Sequence, residues 1–130
     1  MKRTYRGDAH DPRVVLVACE DYSQVERTVA HGLSLLGGFE GLCPGKRYLL
    51  KPNLLLGDRP ERGSTTHPEF FRAVASLLQS KGYSLGYGDS PGFGSPQNAV
   101  RAAGLAQIAE SMQIDQIGRA SCRERVCVGV

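Results

Sequence analysis

Lys51 closes the apolar run that begins at Arg47, and Pro52 and Asn53 follow it directly. An ammonium that emerges where an apolar strand stops is placed to anchor an anion, and the Asn53 amide can donate beside it. The competing reading of Lys51 is an ordinary solvated strand end. Thr66 and His67 precede Pro68, Glu69 and a long amphipathic stretch. Both therefore sit at a predicted helix start, where unpaired N–H groups and the helix dipole favour negative charge. Plain capping accounts for the same residues, with Thr66 and Glu69 forming a capping box. Ser95 stands in the same position before Pro96 and a further helix. Asp89 can orient a hydroxyl, bind a cation or open an Asx turn. Ser90 completes Gly88-Asp89-Ser90-Pro91-Gly92, the G-x-S-x-G pattern of a hydrolase nucleophile elbow. The elbow needs a backbone N–H after its nucleophile, and Pro91 has none; no histidine follows Ser90 either. The candidate ligand-binding set is Lys51, Asn53, Thr66, His67, Asp89 and Ser90, and no residue is assigned a catalytic role.

Other patterns fail on their spacing. Gly41, Gly45 and Lys46 fall one residue short of a P-loop and lack its Ser or Thr. Gly86, Gly88 and Pro91 put proline where a dinucleotide fingerprint needs its third glycine. Cys19 is expected to be a small buried residue and Cys43 a loop thiol, while Cys122 and Cys127 match neither a zinc site nor a ferredoxin run. No metal is assigned. His10 and His31 carry no functional expectation.

Composition bounds the setting for these groups. A chain of 130 residues with 41% hydrophobic and 22% charged residues matches one soluble α/β or mixed domain. The net charge of +3 comes from 16 basic and 13 acidic residues dispersed along the chain, which is no nucleic-acid footprint. No apolar run approaches the roughly 20 residues of a membrane span, and no secretory signal is visible, so a cytoplasmic protein without a membrane partner is expected. Oligomeric state stays open.

The elements that must hold the site follow from periodicity and punctuation. Residues 13–18 form a β-branched apolar run, expected to be a buried first strand. Ser23 and Glu26 make a capping box for a helix with Val25, Val29, Leu33 and Leu36 on one face, ending at Gly37 and Gly38. A second strand ends at Lys51, and residues 53–65 are expected to be a long exposed loop. A helix from Pro68 to about residue 81 carries Phe70, Phe71, Val74, Leu77 and Leu78, with Gly82 as its stop. Residues 83–87 form a third strand before the glycine-rich turn. Ser95 and Pro96 open a helix that Gly104 divides from a shorter one reaching Met112.

This order predicts an α/β fold: a layered βαβαβα unit with a mainly parallel, incomplete sheet. Ligands in such sheets collect at the strand carboxyl ends, where Lys51, Asn53, Asp89 and Ser90 all fall. The expected divisions are a charged N-terminal segment at 1–12, an α/β domain fragment at 13–112 and a non-native tail at 113–130. Residues 117–126 read like a translated sequencing adapter.

The motifs Lys51-Pro52-Asn53-Leu54-Leu55, Thr65-Thr66-His67-Pro68-Glu69 and Gly88-Asp89-Ser90-Pro91-Gly92, in that order, resemble the family catalogued as domain of unknown function 362. The resemblance covers residues 14–114, as the amino-terminal third of a longer protein. It implies recurring positions at Lys51, Asn53, Thr66, His67, Pro68, Asp89, Ser90 and Gly92, without roles. It also implies an iron–sulfur protein, whose 4Fe-4S cluster sits on a cysteine-rich segment further along full-length relatives; no cofactor is expected in this fragment. The resulting expectation is a truncated, iron–sulfur-associated cytoplasmic protein with an anionic small-molecule site at the strand ends. The alternative is a non-catalytic binding or scaffold module whose motif residues only cap helices and close turns.

Overall fold

The computed structural model describes residues 14–117, apart from Pro44, Leu56 and Phe93. A 3₁₀ turn, Tyr22–Gln24, leads into helix α1, Val25–Leu35. Strand β1, Arg47–Leu50, is followed by a 3₁₀ turn, Pro60–Arg62, and by helix α2, Pro68–Gln79. Strand β2, Ser84–Tyr87, precedes helices α3, Pro96–Ala102, and α4, Leu105–Ser111, and the short strand β3, Asp115–Gln116. The sheet is parallel in the order β1-β2-β3, which gives an incomplete α/β unit.

The elements form largely where local chemistry dictates. Ser95 caps α3 by accepting the Asn98 N–H at 3.2 Å. Gly104 divides α3 from α4 as its position predicts. The capping of α1 differs: the Asp21 carboxylate, not a Ser23–Glu26 box, accepts the Ser23 N–H at 2.6 Å and starts the 3₁₀ turn. That bond and the Ser23 hydroxyl hold the Asp21 carboxyl below its ordinary range.

The core joins β1, β2 and the helices. Leu54 and Leu105 are fully buried, with Phe71, Leu78, Leu85, Val100 and Ile108 around them. Phe71 of α2 meets Tyr87 of β2 edge to face, with ring centroids 5.5 Å apart. Leu54 belongs to the stretch expected to be an exposed loop. Its apolar side chain instead anchors the start of that connection in the core, since burial of a leucine is worth about 2 kcal/mol.

Among the described residues the first predicted strand, 13–18, is absent. Residues 14–19 pair with no strand among the described residues; Val15 and Val17 face Gly32 of α1, whereas Val14 and Leu16 are 91% and 97% exposed. A β-branched run supplies propensity, but a strand also needs a partner ladder, and strand propensity yields to that context. Cys19, at the end of this segment, is exposed instead of buried for the same reason.

The sheet also continues past residue 112. Ile114 is buried, Asp115 and Gln116 pair with β2, and the Ile117 N–H bonds the Tyr87 carbonyl at 2.7 Å. Two residues of strand offer too little periodicity to show against the sequence around them. Gly88 admits this neighbour, because a Cβ there would lie 2.7 Å from the Ile117 carbonyl oxygen. The adapter-like string beyond Ile117, with Cys122 and Cys127, and the N-terminal segment 1–12 lie outside the described residues.

Candidate functional site

The stretch from Lys51 to Leu54, leaving the carboxyl end of β1, is held on two sides. On one, Asp89 at the end of β2 takes the Lys51 ammonium at 2.6 Å on Oδ1 and the Leu54 backbone N–H at 3.1 Å on Oδ2. On the other, the Asn53 N–H donates to the Thr66 hydroxyl at 2.8 Å, and the Thr66 N–H donates back to the Asn53 carbonyl at 2.9 Å. The Asn53 side-chain amide donates to the Ser64 carbonyl at 3.0 Å. Lys51 and Asn53 are therefore neighbours of Thr66 and Asp89 at one rim, although Thr66 and Asp89 lie far from them in the chain.

Charge at this rim is unevenly exposed. The Asp89 side chain is 8% exposed and that of Lys51 is 72% exposed. Burial alone would push the Asp89 carboxyl up. The hydrogen bond from Lys51, those from the Leu54 and Ser90 N–H groups, and the Lys51 charge outweigh it and hold Asp89 below the ordinary carboxylate range. An ammonium has three donors, so one bond to Asp89 leaves two N–H groups facing solvent.

His67, not Thr66, is the N-cap of α2. Its Nδ1 accepts the Glu69 N–H at 3.2 Å, and its ring stacks on Tyr22 with centroids 3.5 Å apart and planes 8° from parallel. The expected Thr66–Glu69 box is displaced because Thr66 is engaged with Asn53. Glu69 pairs with Arg72 instead, at 3.1 Å. Replacing His67 by alanine is expected to cost about 1 kcal/mol, a typical N-cap loss, read as a fall in thermal midpoint. Ser90 is exposed, and its hydroxyl has no hydrogen bond among the described residues.

Sequence reasoning missed three participants. The Leu54 N–H and the Ser64 carbonyl belong to the backbone, so their residue types carried no signal. Tyr22 reaches His67 only because the 3₁₀ turn and α2 are packed together.

An iron–sulfur cluster does not fit the described residues. Among them no three His, Cys, Asp or Glu side chains come together, and Cys19 and Cys43 are exposed free thiols. No described helix is long and apolar enough to cross a membrane.

The family described as Domain of unknown function (DUF362) matches residues 49–127, a span that begins at the end of β1 and includes every residue of the rim. The chain is similar to the thylakoid-associated protein sll1697 of Synechocystis sp. (strain ATCC 27184 / PCC 6803 / Kazusa). The two are 42% identical over 88 residues, which is 68% of this chain and 27% of the relative. This chain therefore spans about a quarter of the curated relative it matches. No solved structure matches it.

Proposed function

The chain belongs to the family of the domain of unknown function DUF362, and on that footing we propose that it is an amino-terminal part of a cytoplasmic, iron–sulfur-associated member whose strand-end rim binds an anionic small molecule. The observation that carries the anion site is the 72% exposed Lys51 ammonium, fixed at the rim by a buried carboxylate and still holding two N–H donors toward solvent. Asp89 positions that cation; Asn53, Thr66 and His67 set the neighbouring start of α2, whose dipole favours the same charge. The free thiols of Cys19 and Cys43 suit a reducing compartment. The iron–sulfur part of the proposal rests on the family resemblance, and its ligands would come from a part of the longer protein other than the described residues.

One observation favours the scaffold reading. Asn53, Thr66, His67 and Asp89 all have partners within the fold, which is what helix caps and turn closures require. The two readings separate in a calorimetric titration with inorganic phosphate, backed by thermal melts with and without it. An anion site predicts that Lys51→Ala weakens phosphate binding about tenfold or more, and that the phosphate-dependent rise in melting temperature disappears. Equal affinity in the two proteins, with only the melting temperature changed, would leave Lys51 a purely structural residue.

A further inference from the structure

A cavity of about 610 Å³ opens between α1, α2 and the end of β1, within the roughly 300–1,000 Å³ range of small-molecule sites. Its walls are apolar, with Val29 and Leu33 from α1 and Val74 and Leu78 from α2. The cavity is open to solvent on one side, so its apolar lining stands in contact with water that an apolar occupant would displace. Lys51 and Thr66 also line it, and these are the rim residues described above. The Thr66 oxygen accepts from Asn53, and its O–H has no acceptor among the described residues.

We infer that this cavity and the Lys51 rim form one site, and that its ligand is an amphipathic carboxylate with a single hydrocarbon chain. The inference rests on the anion site at Lys51 and adds the chemical class of the molecule. The carboxylate takes the solvent-facing N–H groups of Lys51 and the Thr66 hydroxyl, while the chain lies between α1 and α2. Phe70 stands at the edge, 44% exposed yet part of the lining, as an apolar side chain the hydrocarbon can cover. Two other cavities among the described residues are poorer matches. One of about 620 Å³ between residues 15–22 and α1, which shares Val29, Leu33 and Phe70 with the first, includes Glu20 and Asp21 in its lining, which would repel an anion. Another, of about 400 Å³, has Arg101 but also Glu110 and Asp115 and is polar.

The test is a calorimetric series on the unaltered chain with acetate, octanoate and dodecanoate, each below its aggregation concentration, beside inorganic phosphate and dodecyltrimethylammonium. Affinity should rise about threefold to fourfold for each methylene that enters the cavity, and dodecyltrimethylammonium should bind at least tenfold more weakly than dodecanoate. Leu33→Trp, which fills the cavity, should weaken dodecanoate at least tenfold and leave phosphate unchanged. Carboxylate affinity that is flat with chain length while phosphate still binds overturns the inference and spares the anion site. Loss of binding to all the anions overturns both. Equal binding of the cationic and anionic detergents reduces the cavity to a greasy surface and also overturns the inference. The wild-type series decides the matter even if Leu33→Trp does not fold.

Discussion

Replacing Gly57 by alanine is expected to lower the unfolding free energy by about 3 kcal/mol, the sum of left-handed backbone strain and overpacking. Gly57 has φ +65°, and a Cβ on it would stand 2.6 Å from the Ala99 Cα and 2.9 Å from the Ala99 Cβ. The nearer obstacle is backbone, so no rotamer change relieves it, and the connection leaving Leu54 must lift away from α3. Gly63 provides the internal control. Its φ is +66°, but a Cβ there meets nothing within 4 Å. Gly63→Ala should therefore cost only the conformational part, about 1 kcal/mol. Denaturant unfolding of the two variants checks this. Equal losses would show that contact with α3 contributes nothing at Gly57.

The contrast between these glycines shows where sequence is informative. Both are visible as glycines in a polar connection, but only the fold brings Ala99 over one of them. The same division runs through the molecule. The four helices among the described residues follow from apolar spacing and from stop and cap residues such as Ser95, Gly37 and Gly104, which act within a few positions of themselves. β1 was legible as a short apolar run ended by Pro52, and β2 as a weakly alternating segment before the glycine-rich turn. Residues 13–18 carried an equally good strand signal, yet their described part, 14–18, forms no strand among the described residues, because pairing depends on a neighbour that local composition does not encode. β3 was hidden for the opposite reason, being two residues long and defined almost entirely by its bonds to β2. At the site, residue types marked Lys51, Asn53, Thr66, His67 and Asp89 as polar groups at element ends. Their partners were out of reach: that Asp89 would join Lys51 to the Leu54 N–H spans 35 positions, and that His67 would cap α2 in place of Thr66 depends on Asn53 having taken the threonine.

Asp89→Ala is expected to destabilise the fold by about 3 kcal/mol, most of it from leaving the backbone N–H of fully buried Leu54 without its acceptor. The Lys51 pair adds little, since a cation this exposed is well hydrated and its pairing is worth about 1 kcal/mol or less. Asp89→Asn separates the two contributions: an amide oxygen can still accept from Leu54, so the loss should fall to about 1 kcal/mol. Proton linkage gives a second handle. The Asp89 carboxyl lies below its ordinary range in the folded protein, so the stability it adds is complete above the unfolded carboxyl value of about 3.9 and is lost as pH falls through the lower folded value. The gap in unfolding free energy between the wild-type chain and Asp89→Asn should accordingly be constant near neutral pH and narrow in the acid range below about pH 4. Denaturant titrations across that range measure it directly. A gap that grows on acidification would mean that Asp89 is held more weakly in the folded chain than in the unfolded one, and the Lys51–Asp89–Leu54 clamp could not then be what fixes the lysine at the rim.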